Sequence, residues 1–275
     1  GGVFAAATNL SQFNNNVEIC TVVGKDADIK KKVNNFAKKI KSKIFIEKDK
    51  VTVRKKRFVE EGYNKKLSEV YYMDDDFLST LNLKKINKYL NKNLHRFDVV
   101  IVIDYGHGFI NQEIYKTLLK KSKFLAINCQ TNSANLGFNL ITKYKKCDYV
   151  CIDEPELRLA SSNNYDEIIK ILKGNLTKKI KCKNFTITRG RKGSTSYLKS
   201  KILHTPALIS EKVLDTIGAG DVFLVITSLL YSAKANQLVT NLVGNIAGAL
   251  KVDILGHSKS INKSDFHSIL KHILK

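Results

Sequence analysis

Short apolar blocks recur along the first two thirds of the chain, separated by longer mixed stretches. Five of these blocks have the length of β-strands, at residues 17–23, 98–104, 123–128, 148–152 and 184–188. Nearly continuous apolar runs of this length are typical of parallel strands that are buried on both faces of a sheet. The pattern therefore predicts a central, mostly parallel sheet.

Amphipathic helices are predicted between these strands. One apolar stripe consists of Val33, Phe36, Ala37 and Ile40, and another of Leu83, Ile86, Leu90 and Leu94. Spacings of three and four residues place such side chains on one helix face. The alternation predicts an α/β fold with right-handed crossovers. From residue 218 onward the chain is predicted to be helical, and the helix at 222–231, apolar nearly all round, should be buried against the sheet.

One segment departs from this alternation. Residues 50–60 and 67–73 are rich in Val, Phe and Tyr and predict two strands joined around residues 62–65. Two such runs around a short polar connection indicate a β-hairpin. From the pattern alone, the hairpin at about 50–73 is equally well an extension of the sheet or a flap over a site.

Composition fits one globular domain over residues 1–275 with this small β appendage. The chain has 275 residues, 43% hydrophobic and 26% charged, which excludes a disordered or fibrous protein. It contains no apolar run of about 20 residues and no signal-peptide pattern, so a soluble, cytoplasmic protein with no membrane partner is expected.

The charge and the cysteines exclude some functions. The net charge is +22, but only six of the 47 basic residues are arginine, and the lysines are scattered over many predicted helices. Because specific base reading relies mainly on arginine, we expect a solvated lysine surface and no specific nucleic-acid partner. The five cysteines contain no CxxC pair, so free thiols in a reducing compartment are expected.

The segment Asp215-Thr216-Ile217-Gly218-Ala219-Gly220-Asp221 carries the clearest chemical signal. Small residues let a ligand approach the backbone, and the N–H groups at the start of the helix that follows can bind an anion such as phosphate. On this evidence alone, Asp221 is more often a capping or dipole-pairing residue than a catalytic one. The P-loop and GxGxxG fingerprints are both absent.

Four further motifs accompany it in order along the chain. They are Gly1–Leu10 with its Gly-Gly opening, Asp104-Tyr105-Gly106-His107-Gly108, Asp153-Glu154-Pro155-Glu156, and Thr188-Arg189-Gly190-Arg191-Lys192-Gly193. Together with the Asp215–Asp221 segment they resemble the PfkB (ribokinase-like) carbohydrate kinases over essentially the whole chain, and among them the heptose 7-phosphate kinases. The resemblance implies a ribokinase-like three-layer α/β fold with a β-hairpin lid.

The resemblance also implies roles for particular residues. Asp221 corresponds to the general base, and Gly218, Ala219 and Gly220 correspond to an anion hole for the transferring phosphoryl group. Glu156 corresponds to an acid that handles Mg²⁺ through water, and Asp153 stands beside it where the family has Asn. For Glu156 the alternative is an ordinary acid in the first turn of a helix.

Nucleotide and substrate contacts are implied in the same way. Thr188, Gly190, Gly193 and Asn245 match nucleotide-binding positions, whereas Gly1, Gly2, Asp104 and Arg54 match the sugar side. The alternatives are a plain hairpin turn at 188–193, a packing role for Asn245, and an Arg54 that lies on the surface of the lid without binding substrate.

The implied activity is ATP- and Mg²⁺-dependent phosphorylation of a sugar or sugar-phosphate hydroxyl. One alternative is a kinase that acts on a nucleoside or another small alcohol. The other is a nucleotide-binding regulatory domain that is catalytically impaired, because Asp153 and Ala5 stand where the resemblance implies Asn. The resemblance further implies an opening strand before Gly1, a fused nucleotidyltransferase domain and a homodimer formed through the lid.

Overall fold

The computed structural model describes residues 2–60, 66–74, 78–208, 213–273 and 275. Its central sheet has six strands in the order β10-β9-β8-β7-β6-β5. These strands are β5 (Val100–Asp104), β6 (Leu125–Cys129), β7 (Tyr149–Asp153), β8 (Asn184–Thr188), β9 (Ser194–Leu198) and β10 (Lys201–Thr205). Strands β5 to β8 are parallel, and β9 and β10 are antiparallel additions at one edge.

The helices are α1 (Val3–Leu10), α2 (Ala27–Ala37), α3 (Thr80–Asn93), α4 (Gln112–Lys121), α5 (Glu154–Ser161), α6 (Ile168–Ile171), α7 (Thr177–Lys179), α8 (Ala219–Ser232), α9 (Gln237–Val252) and α10 (Lys263–Ile273). The predicted helical region after residue 218 is present, and α8 is buried over most of its length, as its composition predicted. Ile40, expected on the stripe of α2, lies beyond the end of that helix.

The alternation of side chains along β7 explains the three layers. Val150 and Ile152 belong to one apolar cluster with residues of α3, α4 and α5, whereas Tyr149 and Cys151 pack with Phe223 of α8 on the other face. Successive strand residues point to opposite faces, so a strand that is apolar throughout needs helices on both sides. The α/β architecture predicted from the sequence, a mostly parallel sheet between two layers of helices, is confirmed.

A second, two-stranded sheet lies outside the central one. It pairs β1 (Glu18–Gly24) with β2 (Lys41–Glu47) in parallel, with α2 between them. The hairpin consists of β3 (Arg54–Val59) and β4 (Lys66–Tyr72), which pair antiparallel and form a separate small sheet. Its predicted turn at 62–65 lies outside the described residues.

One edge of β1 and one edge of β5 have no strand partner within the described ranges. Residues of both strands, among them Ile19 and Ile101, line the same cavity of about 1730 Å³. The further strand that the resemblance implies before Gly1 stays a prediction. In the described part of the chain no helix is both long and apolar enough to cross a bilayer, and the five cysteines are free thiols.

Helices α8 and α9 pack closely because α9 has a glycine at the crossing. A Cβ built on Gly244 would lie 2.6 Å from the ring of Phe223 and 2.7 Å from Cγ2 of Thr227, whereas one on Gly248 would meet nothing within 4 Å. The absence of a side chain at Gly244 therefore sets the spacing of the two helices.

We expect Gly244→Ala to lower the free energy of unfolding by about 1–3 kcal/mol, because the added methyl group overpacks a buried contact. The matched variant Gly248→Ala should raise it by about 0.5–1 kcal/mol through helix propensity. Urea unfolding monitored by circular dichroism would measure both. Equal effects of the two substitutions would contradict close packing at Gly244.

Candidate active site

Two residues that follow neighbouring strands converge on Asp221. Tyr105 comes directly after β5 and Gln130 directly after β6, and parallel strands end at the same edge of the sheet. The Tyr105 hydroxyl donates to Oδ2 of Asp221 at 2.9 Å, and Nε2 of Gln130 donates to Oδ1 at 2.7 Å. Both carboxylate oxygens are thus held by groups outside the Asp215–Asp221 motif.

Asp221 is buried in the first turn of α8, with 6% of its surface exposed. Burial raises the pKa of Asp221 to about 6, while the hydrogen bonds from Tyr105 and Gln130 and the positive charge of Lys251 act in the opposite direction. The residue preceding α8 is Gly218, and no side chain caps the helix. Capping, the commoner role for an Asp in a first turn, is therefore not the role of this carboxylate.

The turn that opens α8 can bind an anion. Gly218 has a left-handed backbone with φ of 79°, which favours glycine at this position. Among the described residues, no acceptor faces the N–H groups of Gly220 and Asp221. A Cβ on Gly220 would meet nothing within 4 Å, so the space beside this turn is open. Free N–H groups at a helix N-terminus with open space in front of them are suited to a phosphate.

Gly2 lies close to the same group of residues. A Cβ on Gly2 would be 3.1 Å from the ring of Tyr105, and its φ of 55° is in the region that favours glycine. Burial, followed by the charge of Asp221, raises the pKa of Tyr105 well above its ordinary value, so Tyr105 remains a hydrogen-bond donor. Gly1, predicted at the sugar site with Gly2, lies outside the described residues.

Asp104, the last residue of β5, forms hydrogen bonds beside Tyr105. Its carboxylate accepts hydrogen bonds from the Tyr144 hydroxyl at 2.7 Å and from the Gly106 N–H at 2.9 Å, and it forms an ion pair with Lys143. It is 4% exposed, although it borders the large cavity. These contacts fix the turn that carries Tyr105, and a direct contact of Asp104 with substrate stays a prediction.

The cavity between β1 and β5 also reaches the Asp215–Asp221 motif. Its lining includes Gly2, Tyr105, Gln130, Gly218, Asp221 and, from the hairpin, Arg54 and Arg57. The guanidinium carbon of Arg54 lies 5.1 Å from the centre of the Tyr72 ring, in an exposed stretch of β3. The hairpin therefore borders the space in front of Asp221, as a flap would.

Glu156 and Asp153 form a capping box at the start of α5. The Asp153 carboxylate accepts from the Glu156 N–H at 2.8 Å, and Glu156 accepts from the N–H groups of Asp153 at 2.9 Å and Thr131 at 3.1 Å. Burial, and secondly the charge of Asp153, raises the pKa of Glu156 to about 8. Glu156 thus has the role of an acid in the first turn of a helix, the alternative to a magnesium role that the sequence left open.

The same two carboxylates determine how Mg²⁺ could be held. Within the described ranges no three acidic, His or Cys side chains form a metal-binding group. Both oxygens of Glu156 already accept a backbone N–H, so this residue is suited to an indirect contact through the water shell of the ion. A direct, all-protein metal cage does not fit these residues.

Two of the predicted nucleotide-binding residues, Gly193 and Asn245, meet at the Thr205–Pro206 segment, which does not line this cavity. A Cβ on Gly193 would lie 2.1 Å from the carbonyl oxygen of Thr205, and Nδ2 of Asn245 donates to the carbonyls of Thr205 at 3.2 Å and Pro206 at 2.8 Å. Thr188 ends β8, and Gly190 with φ of 54° begins the turn to β9. The segment is a hairpin connection, and its contact with a nucleotide stays a prediction.

Comparison with known proteins identifies relatives of this chain. The sequence profile described as "pfkB family carbohydrate kinase" matches residues 1–242. The bifunctional protein HldE of Pelobacter propionicus is 22% identical over 263 residues, 94% of this chain and 53% of that protein. HldE of Helicobacter pylori strain P12 is 25% identical over 272 residues, 91% of this chain and 56% of that protein. The chain spans about half the length of these curated relatives.

Solved structures agree in fold. Phosphofructokinase-2 from Escherichia coli, in complex with substrates and products, superposes with a TM-score of 0.79 at 12% identity, covering 100% of this chain and 88% of that one. Ribokinase from Thermotoga maritima gives a TM-score of 0.74 at 18% identity, covering 97% and 86%. With the profile matched over most of the sequence and the fold shared throughout, the chain belongs to the pfkB family of carbohydrate kinases.

Proposed function

We propose that this chain transfers the γ-phosphoryl group of ATP, with Mg²⁺, to a hydroxyl of a sugar or sugar phosphate. The observation that carries the proposal is the buried carboxylate of Asp221 beside the free N–H groups that open α8, at the wall of a large cavity. A base and an anion-binding turn within one helical turn are the two groups that phosphoryl transfer to an alcohol requires. Membership of the pfkB family supports the same reaction.

In this mechanism Asp221 accepts the proton of the attacking hydroxyl. A general base works best when its pKa lies near the working pH, and the pKa of about 6 leaves Asp221 ionised at neutral pH while keeping it basic enough to bind a proton. Tyr105 and Gln130 fix both carboxylate oxygens, so the base needs little rearrangement before it reacts.

The N–H groups at the start of α8 stabilise negative charge on the group in transfer. Of the predicted anion hole at Gly218, Ala219 and Gly220, the N–H group of Gly220 is free within the described part of the chain, whereas that of Ala219 donates to the carbonyl oxygen of Thr216 at 3.3 Å. The free N–H group of Asp221 lies next to that of Gly220, and the dipole of α8 adds to the field. When bound, Mg²⁺ would neutralise charge on the nucleotide phosphates, and Glu156 would orient its water shell. Thr188, Gly190, Gly193 and Asn245 are proposed to support the nucleotide around the Thr205–Pro206 segment.

The cavity lining favours an acceptor that carries its own negative charge. Arg54 and Arg57 of the hairpin border it opposite the catalytic turn, and guanidinium groups bind phosphate in a two-pronged geometry. We therefore propose a sugar phosphate ahead of a neutral sugar. A screen of ATP consumption by the full-length protein over sugars, sugar phosphates and nucleosides tests this order, and ATP binding without any turnover would favour a regulatory domain.

Partners are proposed on the same basis. The relatives that match over about half their length are named as bifunctional proteins, which supports a second domain of nucleotidyltransferase type in the parent protein. The hairpin exposes Phe58, Leu67 and Val70, whose exposed fractions are 44%, 64% and 41%. An exposed apolar β-ribbon of this kind supports the proposal of a homodimer through the lid.

We expect Asp221→Asn to reduce kcat by about 10²–10⁴-fold, since the amide cannot accept the hydroxyl proton. Binding of ATP, measured by calorimetry, should change little. The control Asp265→Asn removes an exposed carboxylate in the first turn of α10 and should leave kcat unchanged. Wild-type turnover by the Asp221 variant would remove this residue from the mechanism.

The raised pKa of Asp221 also predicts how stability depends on pH. Between about pH 4, near the ordinary pKa of Asp, and about pH 6, the folded protein keeps a proton that the unfolded chain has lost, so ionisation of Asp221 lowers the free energy of unfolding as pH rises. Asp221→Asn should therefore be more stable than wild type above pH 6, by about 1–3 kcal/mol, and nearly equal to it at pH 4. Urea unfolding across this range measures the difference. A variant less stable than wild type at pH 7 would contradict the cost assigned to the buried charge.

Two measurements on a Glu156 variant distinguish its proposed role at Mg²⁺ from its role as a helix cap. Glu156→Gln keeps one oxygen that can accept the Asp153 N–H but places an amide NH2 group opposite the Thr131 N–H. The melting temperature should therefore fall by a few degrees, as the loss of one hydrogen bond would cause, while the Mg²⁺ concentration for half-maximal rate rises. The matched variant Glu154→Gln, in the same turn, should leave the Mg²⁺ dependence unchanged. A large loss of melting temperature with unaltered Mg²⁺ dependence would mean that Glu156 acts only as a cap.

A further inference from the structure

Lys251, in the last turn of α9, has no exposed surface (0%). A lysine is almost never fully buried, because removing an ammonium group from water costs several kcal/mol unless polar groups replace the water. The proposed reaction assigns no role to this side chain. Its surroundings must therefore explain why a positive charge is kept inside the protein.

Oxygen atoms surround the ammonium group. Nζ of Lys251 donates to the carbonyl oxygen of Gly256 at 2.6 Å and to that of Ile254 at 3.3 Å. Burial lowers the pKa of Lys251, and the negative charges of Asp215 and Asp221 oppose this shift. Two backbone carbonyls with carboxylates nearby form a ligand set for a compact cation.

Asp215 joins this group of oxygens to the catalytic turn. Its Oδ2 accepts from the Gly256 N–H at 2.8 Å and its Oδ1 from the Ile217 N–H at 2.9 Å. One carboxylate thus bridges the segment after α9 and the turn before α8.

The end of the Lys251 side chain also lies directly behind the anion-binding turn. A Cβ built on Gly218 would be 3.4 Å from Cε of Lys251 and 2.9 Å from Cε1 of His257. Burial lowers the pKa of His257 to about 4, so His257 is neutral at pH 7. Of these two side chains behind Gly218, Lys251 is the one that brings positive charge to the turn.

We propose that Lys251 is a positioning residue whose tethered ammonium group occupies a monovalent-cation site behind the anion-binding turn, and thereby orders that turn without a cation from solution. The inference rests on the proposed phosphoryl transfer, and it names the group that holds the turn in place. Carbonyl oxygens that replace a hydration shell are ligands that K⁺ also takes, so removing the side chain should open a site for K⁺ or NH₄⁺.

Two substitutions of Lys251 distinguish the effect of its positive charge from the effect of the volume that its side chain fills. Lys251→Met keeps the length of the side chain without its charge, whereas Lys251→Ala leaves the oxygen atoms facing an empty volume. Both are assayed as the full-length protein in KCl, NH₄Cl and choline chloride at equal ionic strength. Lys271→Met, which removes an exposed lysine of α10, is the control.

We expect wild type and the control to be equally active in all three salts. Lys251→Met should lose about 10- to 100-fold in kcat in every salt, as misplacing a catalytic group commonly does. Lys251→Ala should show the same loss in choline chloride and regain at least about tenfold in KCl or NH₄Cl. A second readout is thermal unfolding, in which KCl should raise the melting temperature of Lys251→Ala alone, because a bound cation stabilises only the folded state.

The opposite results are equally definite. Wild-type kcat in Lys251→Met, activation of the wild type by KCl over choline chloride, or absence of both rate recovery and thermal shift in Lys251→Ala would overturn the cation role. If wild type turns over no acceptor, the proposed function fails first. The thermal measurement on Lys251→Ala still tests the cation site in that case.

Discussion

A carboxylate buried at the start of α8 has to be surrounded by hydrogen-bond donors, because an unpartnered charge inside a protein is costly. Tyr105 and Gln130 supply these donors from the ends of β5 and β6. They reach Asp221 only because the two strands are parallel, adjacent and end at the same edge of the sheet. The hydrogen bonds of the Asp221 side chain therefore depend on the order of the strands and on the position of α8 at that edge.

Two further polar side chains, Asp104 and Asp215, hold the backbone turns next to Asp221. Asp104 is held by Tyr144 and Lys143, which fixes the turn bearing Tyr105. Asp215 accepts from the Ile217 N–H in the turn bearing Gly218 and from the Gly256 N–H in the segment whose carbonyls accept from Lys251. Buried polar networks of this kind favour one arrangement of the backbone, because each member is satisfied only there. Asp221 is thus held by two hydrogen-bond donors, and the cavity beside it is bordered by residues of the hairpin.

Hydropathy predicted the five strands that are apolar throughout, and the structure places all of them within two residues of the expected bounds. It did not indicate β2, where Lys41 and Lys43 interrupt the apolar run, or the β9–β10 pair. Ser194 and Ser196 of β9 are buried although they are polar, and Ser196 accepts hydrogen bonds from α9. A strand that buries small hydroxyl side chains, such as Ser196 with its two hydrogen bonds from α9, leaves no apolar signal in the sequence.

The Asp215–Asp221 motif could be singled out from the sequence because its residues are contiguous. Tyr105 and Gln130 could not, since they lie 116 and 91 residues from Asp221 and only the strand order brings them together. Topology could have given a signal, because both residues directly follow predicted parallel strands. Lys251 gave none, as a lysine near the end of a predicted helix is ordinarily solvated.

Helix α9 spans the two polar regions on which the proposed reaction depends. Asn245 binds the Thr205–Pro206 carbonyls on the proposed nucleotide side, and Lys251 binds the carbonyls behind the anion-binding turn. Five residues of helix lie between them, a rise of about 9 Å along the axis, and one inserted residue would rotate Lys251 by about 100° relative to Asn245. The number of residues between these two positions is therefore as tightly constrained as their identity. The helix acts as a spacer of fixed length and phase between the two halves of the site.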